Sequence, residues 1–473
     1  MEKNLFCDIA IIGAGAGGLS IASFASQIGL KVILIETNKM GGDCLNTGCV
    51  PSKSFIAAAK LARNFSLANQ FGIQSEQVKV DFIKVMEHVE RVIQHIAKND
   101  SVERFTALGV CVIKAHAQFI DAKTILANDN RITARHIVIA TGSRPSIPPI
   151  PGLNKINFLT NENVFDLREQ PSHLIVIGGG PIGCELAQAF LFLGSKVTIL
   201  EAFTMMPRDE EDCVDMLRDE FKLQGITIHE QIKVLEVKKN NQSIEVIIEK
   251  NGTKEIVVGS HLLIAAGRLA DVSDLQLDKA GVTYTKKGIQ VDKRLRTSNK
   301  RIYAIGDVIG SYQFTHIANY HASIVIKNMI FKIPASVDYH AIPWVTYTSP
   351  ELAHAGLMTN EALKKYPQAK ILTLNLSEND RAQTERETFG KIKVIVTPKG
   401  KILGASILSA HAGELILPWI MLIQGNQSLR HLTEFIIPYP TLNEISKRIA
   451  SEFYSKKIFS KPMRYVAKLL QWF

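Results

Sequence analysis

A chain of 473 residues with 46% hydrophobic side chains has core material for about three domains of ordinary size and is globular. Its net charge of +10 is spread through 21% charged residues as a general basic bias; the concentrated stripe of a nucleic-acid binder is missing, so no nucleic-acid partner is expected. Six cysteines are too few for a structural disulfide framework.

The first element is the apolar run Ile9 to Ile12, a strand, followed by Gly13-Ala14-Gly15-Ala16-Gly17-Gly18 and a helix. The stretch from Ile9 to Leu30 carries no Asp, Glu, Lys or Arg, as a membrane span would, but the glycines at 13, 15, 17 and 18 interrupt it. With no basic leader and no Ala-x-Ala cleavage site, the chain is expected in the cytoplasm. Gly29, Lys31-Val32 and the acid Glu36 complete a strand-helix-strand unit of the kind that lays a pyrophosphate on a helix N-terminus and offers a carboxylate to a ribose.

Cys44 and Cys49 follow at once, in Gly41-Gly42-Asp43-Cys44-Leu45-Asn46-Thr47-Gly48-Cys49-Val50-Pro51-Ser52-Lys53. Such a pair reads as catalytic or metal-binding. A structural zinc site needs four ligands, and no Cys or His follows Cys49 until His88, so no metal is expected. Residues five apart on a regular helix lie roughly 8–9 Å apart at Cα, beyond disulfide reach, so the pair requires a distorted helix entry, which Gly48 and Pro51 permit. A helix N-terminus there would also favour a thiolate.

Helical periodicity runs from Phe82 to Leu108, and Val110 to Ala127 reads as short strands. Ile137 to Ala140 is a buried strand ending in Thr141-Gly142. The opening motif then recurs: Leu174 to Ile177, Gly178-Gly179-Gly180-Pro181-Ile182-Gly183, Gly194, Lys196-Val197 and Glu201 repeat it at the same spacings. Two copies in register indicate two dinucleotide-binding units, where one alone would be weak evidence. Leu262 to Ala265 repeats the strand before Thr141-Gly142 and leads to Ala266-Gly267-Arg268, while Ile302 to Ile305 places Asp307 at a strand's carboxyl end, where ligands of open α/β sheets bind. After Pro334 the strand-like runs Ala341 to Tyr347, Lys391 to Thr397 and Ile402 to Ile407, with apolar helices from Gly413, read as an α+β domain. The fold class is α/β, with two Rossmann-like domains and a C-terminal α+β domain. Its boundaries are expected at 1–145 with 272–338, 146–271 and 339–455, leaving a basic tail over 456–473.

Together these residues resemble the flavin-dependent pyridine nucleotide-disulfide oxidoreductases, the family of glutathione reductase, dihydrolipoamide dehydrogenase and mercuric reductase. The resemblance runs to about residue 450 and is carried by the Cys44–Cys49 box, both glycine fingerprints, Ile139-Ala140-Thr141-Gly142, Ala266-Gly267-Arg268, Ile302-Tyr303-Ala304-Ile305-Gly306-Asp307 and Tyr347-Thr348-Ser349-Pro350-Glu351. It implies a homodimer whose active sites each draw on both subunits. FAD would lie on Gly13, Gly15, Gly18, Glu36, Gly42, Lys53, Ala117, Thr141, Gly142 and Asp307, and the nicotinamide cofactor on Gly178, Gly180, Gly183, Glu201 and Gly267. Electrons would pass from NAD(P)H through FAD to a Cys44–Cys49 disulfide and on to a disulfide, metal-ion or quinone acceptor. Cys49 would face the flavin, Cys44 would meet the substrate, and Lys53 with Glu185 would form an ion pair near the flavin. Glu201 suits the ribose hydroxyl of NADH and repels the phosphate of NADPH, a preference that Arg208 would soften.

The segment Ile437 to Glu444 resembles the partner-subunit loop that carries a His-Pro pair backed by a glutamate, but here the histidine position is Tyr439, with Glu444 behind it. Phenol ionises far above imidazole, which counts against dithiol oxidation of the lipoamide kind, although Glu444 can still bond the Tyr439 hydroxyl. The Tyr439-Pro440 bond is expected cis. Mercuric reductase has a tyrosine here too, yet its C-terminal cysteine pair and any N-terminal Cys-x-x-Cys domain are missing. Alternatives are a dihydrolipoamide dehydrogenase and a membrane-docked flavoprotein electron carrier. Cys7, Cys111, Cys184 and Cys213 read as buried free thiols, and His316 and His321 as flavin-side packing. His411 and Glu414 read as structural. In the tail, Lys456, Lys457, Lys461, Arg464 and Lys468 face no acid, and Phe459, Met463, Val466, Leu470 and Phe473 share a helical face that Ser460 and Pro462 would open. Such a helix suits either an anionic membrane surface or packing on its own dimer.

Overall fold

The computed structural model describes residues 3–74 and 78–472, the side chains of 456 and 457 excepted. Contacts divide the chain into two compact units. One comprises Met1–Phe203 with Ile228–Val337, the other Thr204–Thr227 with Asp338–Phe473.

In the first unit the strand Lys3–Ile12 runs parallel to Val32–Glu36 on one side and Asn130–Ile139 on the other, and Ile302–Ala304 extends the sheet in parallel beyond Asn130–Ile139. Ala10, Ile12, Ile137 and Ile139 enter one core while Ile9, Ile11, Leu34 and Val138 enter another, the alternation expected of a parallel sheet covered on both faces. Register decides where the site lies. Ile12 pairs with Ile139, and Ile139 with Ala304, so the turns at Gly13, Thr141 and Asp307 leave the sheet at the same edge.

The second copy builds a four-stranded sheet in the order Thr227–His229, Lys196–Leu200, His173–Ile177, His261–Ile264. The repeat persists in atomic detail. Gly13 and Gly178 adopt φ of +105° and +115°, and a Cβ on either would stand 2.3 Å from the carbonyl oxygen of Ala140 or Ala265. Only glycine fits these turns. The periodic run Phe82 to Leu108 forms the helix Phe82–Ala97, then a short helix Val102–Ala107. The break falls where Ser101 adopts an extended conformation and its hydroxyl accepts the Arg104 N–H at 3.2 Å, capping the second piece.

The second unit holds an antiparallel sheet in the order Pro343–Thr346, Glu351–Gly356, Ile402–Ser409, Lys391–Val396, Lys370–Asn375. Two of these strands, Glu351–Gly356 and Lys370–Asn375, carry too little apolar alternation to stand out in the sequence. The helix Glu211–Gln224 belongs to this unit, although the sequence boundaries put it in the nucleotide domain. Charge explains the attachment: Lys393 Nζ donates to Glu210 at 2.7 Å and to Asp212 at 2.6 Å, and Lys391 Nζ to Asp212 at 2.5 Å. The tail forms the helix Lys461–Leu470 with Ser460 at its N-cap, though the Ser460 hydroxyl makes no capping bond. Phe473 and the side chains of Lys456 and Lys457 lie outside the described residues. Among the described residues, no helix is long and apolar enough to cross a membrane.

Candidate active site

The cysteine box is two helices, Gly42–Asn46 and Cys49–Leu67, separated at Thr47-Gly48. A Cβ on Gly48 would stand 2.9 Å from the Asp43 carbonyl oxygen, so glycine allows the chain to fold back and bring the two thiols within hydrogen-bonding reach. Cys49 opens the second helix. Its thiol is drawn down to about 6, first by the hydrogen bond from Cys44, then by the Thr315 hydroxyl and the Lys53 charge, against burial and Glu185. Cys44 is driven upward by the same bond to Cys49 and by burial. The pair therefore holds one proton on Cys44 and presents Cys49 as a thiolate.

Thr315 and Lys53 flank the thiol pair, and Arg268 braces its box through Asp43. Thr315, the first residue of the helix Thr315–Met329, places Oγ1 3.5 Å from Cys49 Sγ. Lys53, one turn beyond Cys49, donates to Glu185 Oε2 at 2.7 Å, and Glu185 is buried in the second repeat's helix Pro181–Phe192. Arg268 pairs with Asp43, donates from Nε to Ser143 Oγ at 2.7 Å and lies 3.9 Å from Asp307. The Ser143 hydroxyl in turn donates to Asp307 at 2.5 Å, and burial raises the Asp307 carboxyl against the pull of Ser143 and Arg268. Thr315, Ser143 and the role of Arg268 escaped the sequence reading; Arg268 alone left a signal there, as the residue closing the Ala266-Gly267 turn.

The two terminal acids do the same work in each repeat. Glu36 accepts the N–H groups of Ala14 at 2.6 Å and Asn38 at 2.7 Å, and Glu201 those of Gly179 at 2.6 Å and Phe203 at 2.9 Å. Each carboxylate thus ties its glycine loop and retains lone pairs for a ribose. The fingerprint glycines divide by cause. Gly18 and Gly183 are forced by close backbone, a Cβ on either meeting a carbonyl oxygen at 2.0 Å, whereas Gly15 and Gly180 have ordinary backbone angles and nothing within 4 Å of a Cβ. The space before Gly15 and Gly180 lies at helix N-termini, which suit an anion such as a pyrophosphate, and Gly142 and Gly267 face open space as well. The residues present fit two dinucleotides. Gly42 lies against Gly15, a Cβ there standing 2.8 Å from the Gly15 Cα. Ala117 is buried in the strand Ala117–Phe119, and the Thr141 hydroxyl donates to the Asp271 carbonyl at 2.6 Å.

A shallow depression open to solvent lies beside Cys49, between the helices Cys49–Leu67 and Phe82–Ala97. Val50, Ala57, Val92 and Ile96 form its apolar walls, with Lys53 and His88 as its titratable side chains. In the second unit Tyr439 is 70% exposed, and its peptide bond to Pro440 is cis, as expected. Its hydroxyl donates to Asp380 at 3.1 Å and not to Glu444, whose carboxylate accepts the Thr441 N–H at 3.4 Å. Asp380 raises the Tyr439 phenol above its ordinary range, so this side chain stays protonated at neutral pH. Cys7, Cys184 and Cys213 are buried, but Cys111 is exposed, because its strand Cys111–Lys114 lies at the margin of the sheet. His321 is buried with Nδ1 accepting the Gly306 N–H at 3.1 Å, and His316 stacks on Phe314. His411 precedes the short helix Ala412–Leu415, which contains Glu414.

The family model for pyridine nucleotide-disulphide oxidoreductases matches residues 7–322, and the model of that family's dimerisation domain matches residues 342–450. A mercuric reductase of Staphylococcus aureus is 33% identical over 450 residues, 94% of this chain and 82% of that one. A dihydrolipoyl dehydrogenase of Bacillus subtilis is 32% identical over 452 residues, covering 92% and 96%. Among solved structures, the Cu(II) complex of the HOCl-induced flavoprotein disulfide reductase RclA from Escherichia coli superposes with a TM-score of 0.85 at 28% identity, over 93% of this chain and 99% of that one. Across both its nucleotide-binding and its dimerisation parts, this chain belongs to the flavoprotein pyridine nucleotide-disulphide oxidoreductase family.

Proposed function

We propose that the protein is a homodimeric NADH-dependent disulfide reductase that delivers two electrons through Cys49 and then Cys44 to an exogenous acceptor that meets Cys44. The observation that carries this reading is the Cys44–Cys49 pair at the head of the helix Cys49–Leu67, with Thr315 Oγ1 3.5 Å from Cys49 Sγ and the Lys53–Glu185 ion pair one turn on, an arrangement that draws Cys49 down and drives Cys44 up. Gly13, Gly15, Gly18, Glu36 and Gly42 would hold FAD, which would supply the chemistry that accepts hydride from the nicotinamide and passes an electron pair to the Cys44–Cys49 bond. Opening that bond consumes one proton, which Cys44 holds, and leaves Cys49 as thiolate beside Thr315 and Lys53. Against a disulfide acceptor, Cys44 attacks one sulfur as its proton goes to the departing thiolate. Cys49 then attacks the Cys44 sulfur, the second thiol leaves with a proton from solvent, and the internal disulfide re-forms.

Glu201 supports NADH over NADPH, since a carboxylate that already accepts two backbone N–H groups repels a ribose phosphate. Tyr439 held as a phenol by Asp380 supports acceptors that need no strong base, thiophilic metal ions and strained disulfides before dihydrolipoamide oxidation. The likeness to RclA, solved with Cu(II), puts that ion first among the metals. A disulfide that must cycle belongs in a reducing cytoplasm.

Anaerobic titration with NADH is expected to reduce the purified protein in two steps and raise a long-wavelength band from the Cys49 thiolate against the flavin. In Cys44→Ala the band persists in the resting enzyme while turnover of Cu(II), glutathione disulfide and quinone is lost. A protein that takes up only one electron pair and keeps its turnover without Cys44 is not this enzyme.

A further inference from the structure

The helix Lys461–Leu470 lies beyond the last residue matched by the family models, and none of its residues is buried. At 100° per residue, Met463, Val466 and Leu470 share an arc of about 60° and Lys461, Arg464 and Lys468 share another of about 60° opposite to it. Tyr465 falls between the two faces, and Trp472, two residues past the end of the helix, is 88% exposed. The stretch 453–473 contains five basic residues and no acidic one.

We propose that this helix docks the enzyme on an anionic lipid bilayer. It lies in the plane of the headgroups, with Met463, Val466, Leu469 and Leu470 toward the acyl chains, Lys461, Arg464 and Lys468 on lipid phosphates, and Trp472 at the boundary. Charge selects this occupant. The whole chain carries +10, and the five tail cations leave +5 on the remainder, so the protein's own body is a poor electrostatic match for the tail. Two tails packed together would unite ten cations without an acid. A surface of lipid phosphates neutralises them and covers the apolar arc in one step. The proposal is independent of which acceptor the active site reduces.

The test uses the full-length FAD-loaded protein in flotation with vesicles of phosphatidylglycerol and phosphatidylcholine, and with vesicles of phosphatidylcholine alone. Flotation is expected with the anionic vesicles only, weakening as salt rises. Lys461→Gln, Arg464→Gln and Lys468→Gln together should reduce vesicle affinity about 100-fold, at about five-fold per cation, and leave NADH-dependent turnover in solution unchanged. Trp472 emission should shift to the blue on vesicle addition, a response absent from Trp472→Phe. The proposal is overturned if the intact protein stays down with anionic vesicles at low salt, if the triple variant floats like the parent, or if removing residues 459–473 splits the dimer, which would place the helix in the subunit contact.

Discussion

Thr315 Oγ1 stands 3.5 Å from Cys49 Sγ, and each of the two residues opens a helix, so two helix N-termini meet at one sulfur. The partial positive charge of both termini and the Thr315 hydroxyl act in the same direction, toward thiolate. Thr315→Val removes the hydroxyl and keeps the shape. The pH midpoint of Cys49 ionisation should then rise from about 6 by about one pH unit, the worth of one hydrogen bond to a charged group. The rate of iodoacetamide labelling against pH measures it, and Thr315→Ser should restore the parent curve.

Lys53 and Glu185 push the same thiol in opposite directions. Lys53→Met should raise the Cys49 midpoint, and Glu185→Gln should lower it, because the Lys53 charge favours thiolate and the Glu185 charge opposes it. Labelling of both variants in one buffer series decides; shifts of the same sign would mean that the pair acts through packing.

Arg268 holds the cysteine box and the Asp307 turn together through Asp43 and Ser143. Lysine keeps the charge but lacks the planar fork that reaches both partners. Arg268→Lys is expected to loosen FAD about ten-fold, the cost of one charge-assisted hydrogen bond, as read from recovery of flavin fluorescence on dilution.

His321 is held far below the ordinary imidazole range, at about 4, by burial, and its neutral Nδ1 accepts the Gly306 N–H. Below about pH 6.5 the unfolded chain binds a proton that the native ring refuses, so native stability falls as pH drops from about 6.5 to about 4. His321→Phe should cost about 1–3 kcal/mol at pH 7, where it leaves a buried N–H unpaired. At pH 5 that deficit should shrink by about 2 kcal/mol, since the variant has no ring to protonate. Urea unfolding at the two pH values gives both numbers.

Lys393 lies between the buried Glu210 and Asp212. Lys393→Met takes the cation from a carboxylate that is 5% exposed and keeps hydrogen bonds from Thr359, and should destabilise the second unit by about 2–3 kcal/mol. Trp344 and Trp419 fluorescence in urea follows that unit. Pairing the change with Glu210→Gln should recover part of the loss, because the stranded charge is then gone.

The sequence by itself determined the parts that are local in the chain. A turn with φ near +105° admits glycine alone, so Gly13 and Gly178 mark the two nucleotide units by residue type, and Gly48 marks the folded-back helix entry between Cys44 and Cys49. Spacing of this kind is written within about thirty residues and survives without any knowledge of what packs where. Tertiary structure alone decided the rest. Ser143 and Asp307 follow strands whose register sends their turns to one edge of a sheet, and Arg268 reaches them and Asp43 because its strand Arg268–Ala270 pairs antiparallel with Ser143–Pro145. Tyr439 finds Asp380, 59 residues away, where the sequence offered Glu444 five residues on. Asp212, in the helix Glu211–Gln224, pairs with Lys391 and Lys393, far along the chain. Contacts across such separations have no period and require no particular residue type until the backbone has brought them within hydrogen-bonding distance, which is why register and charge pairing settled them.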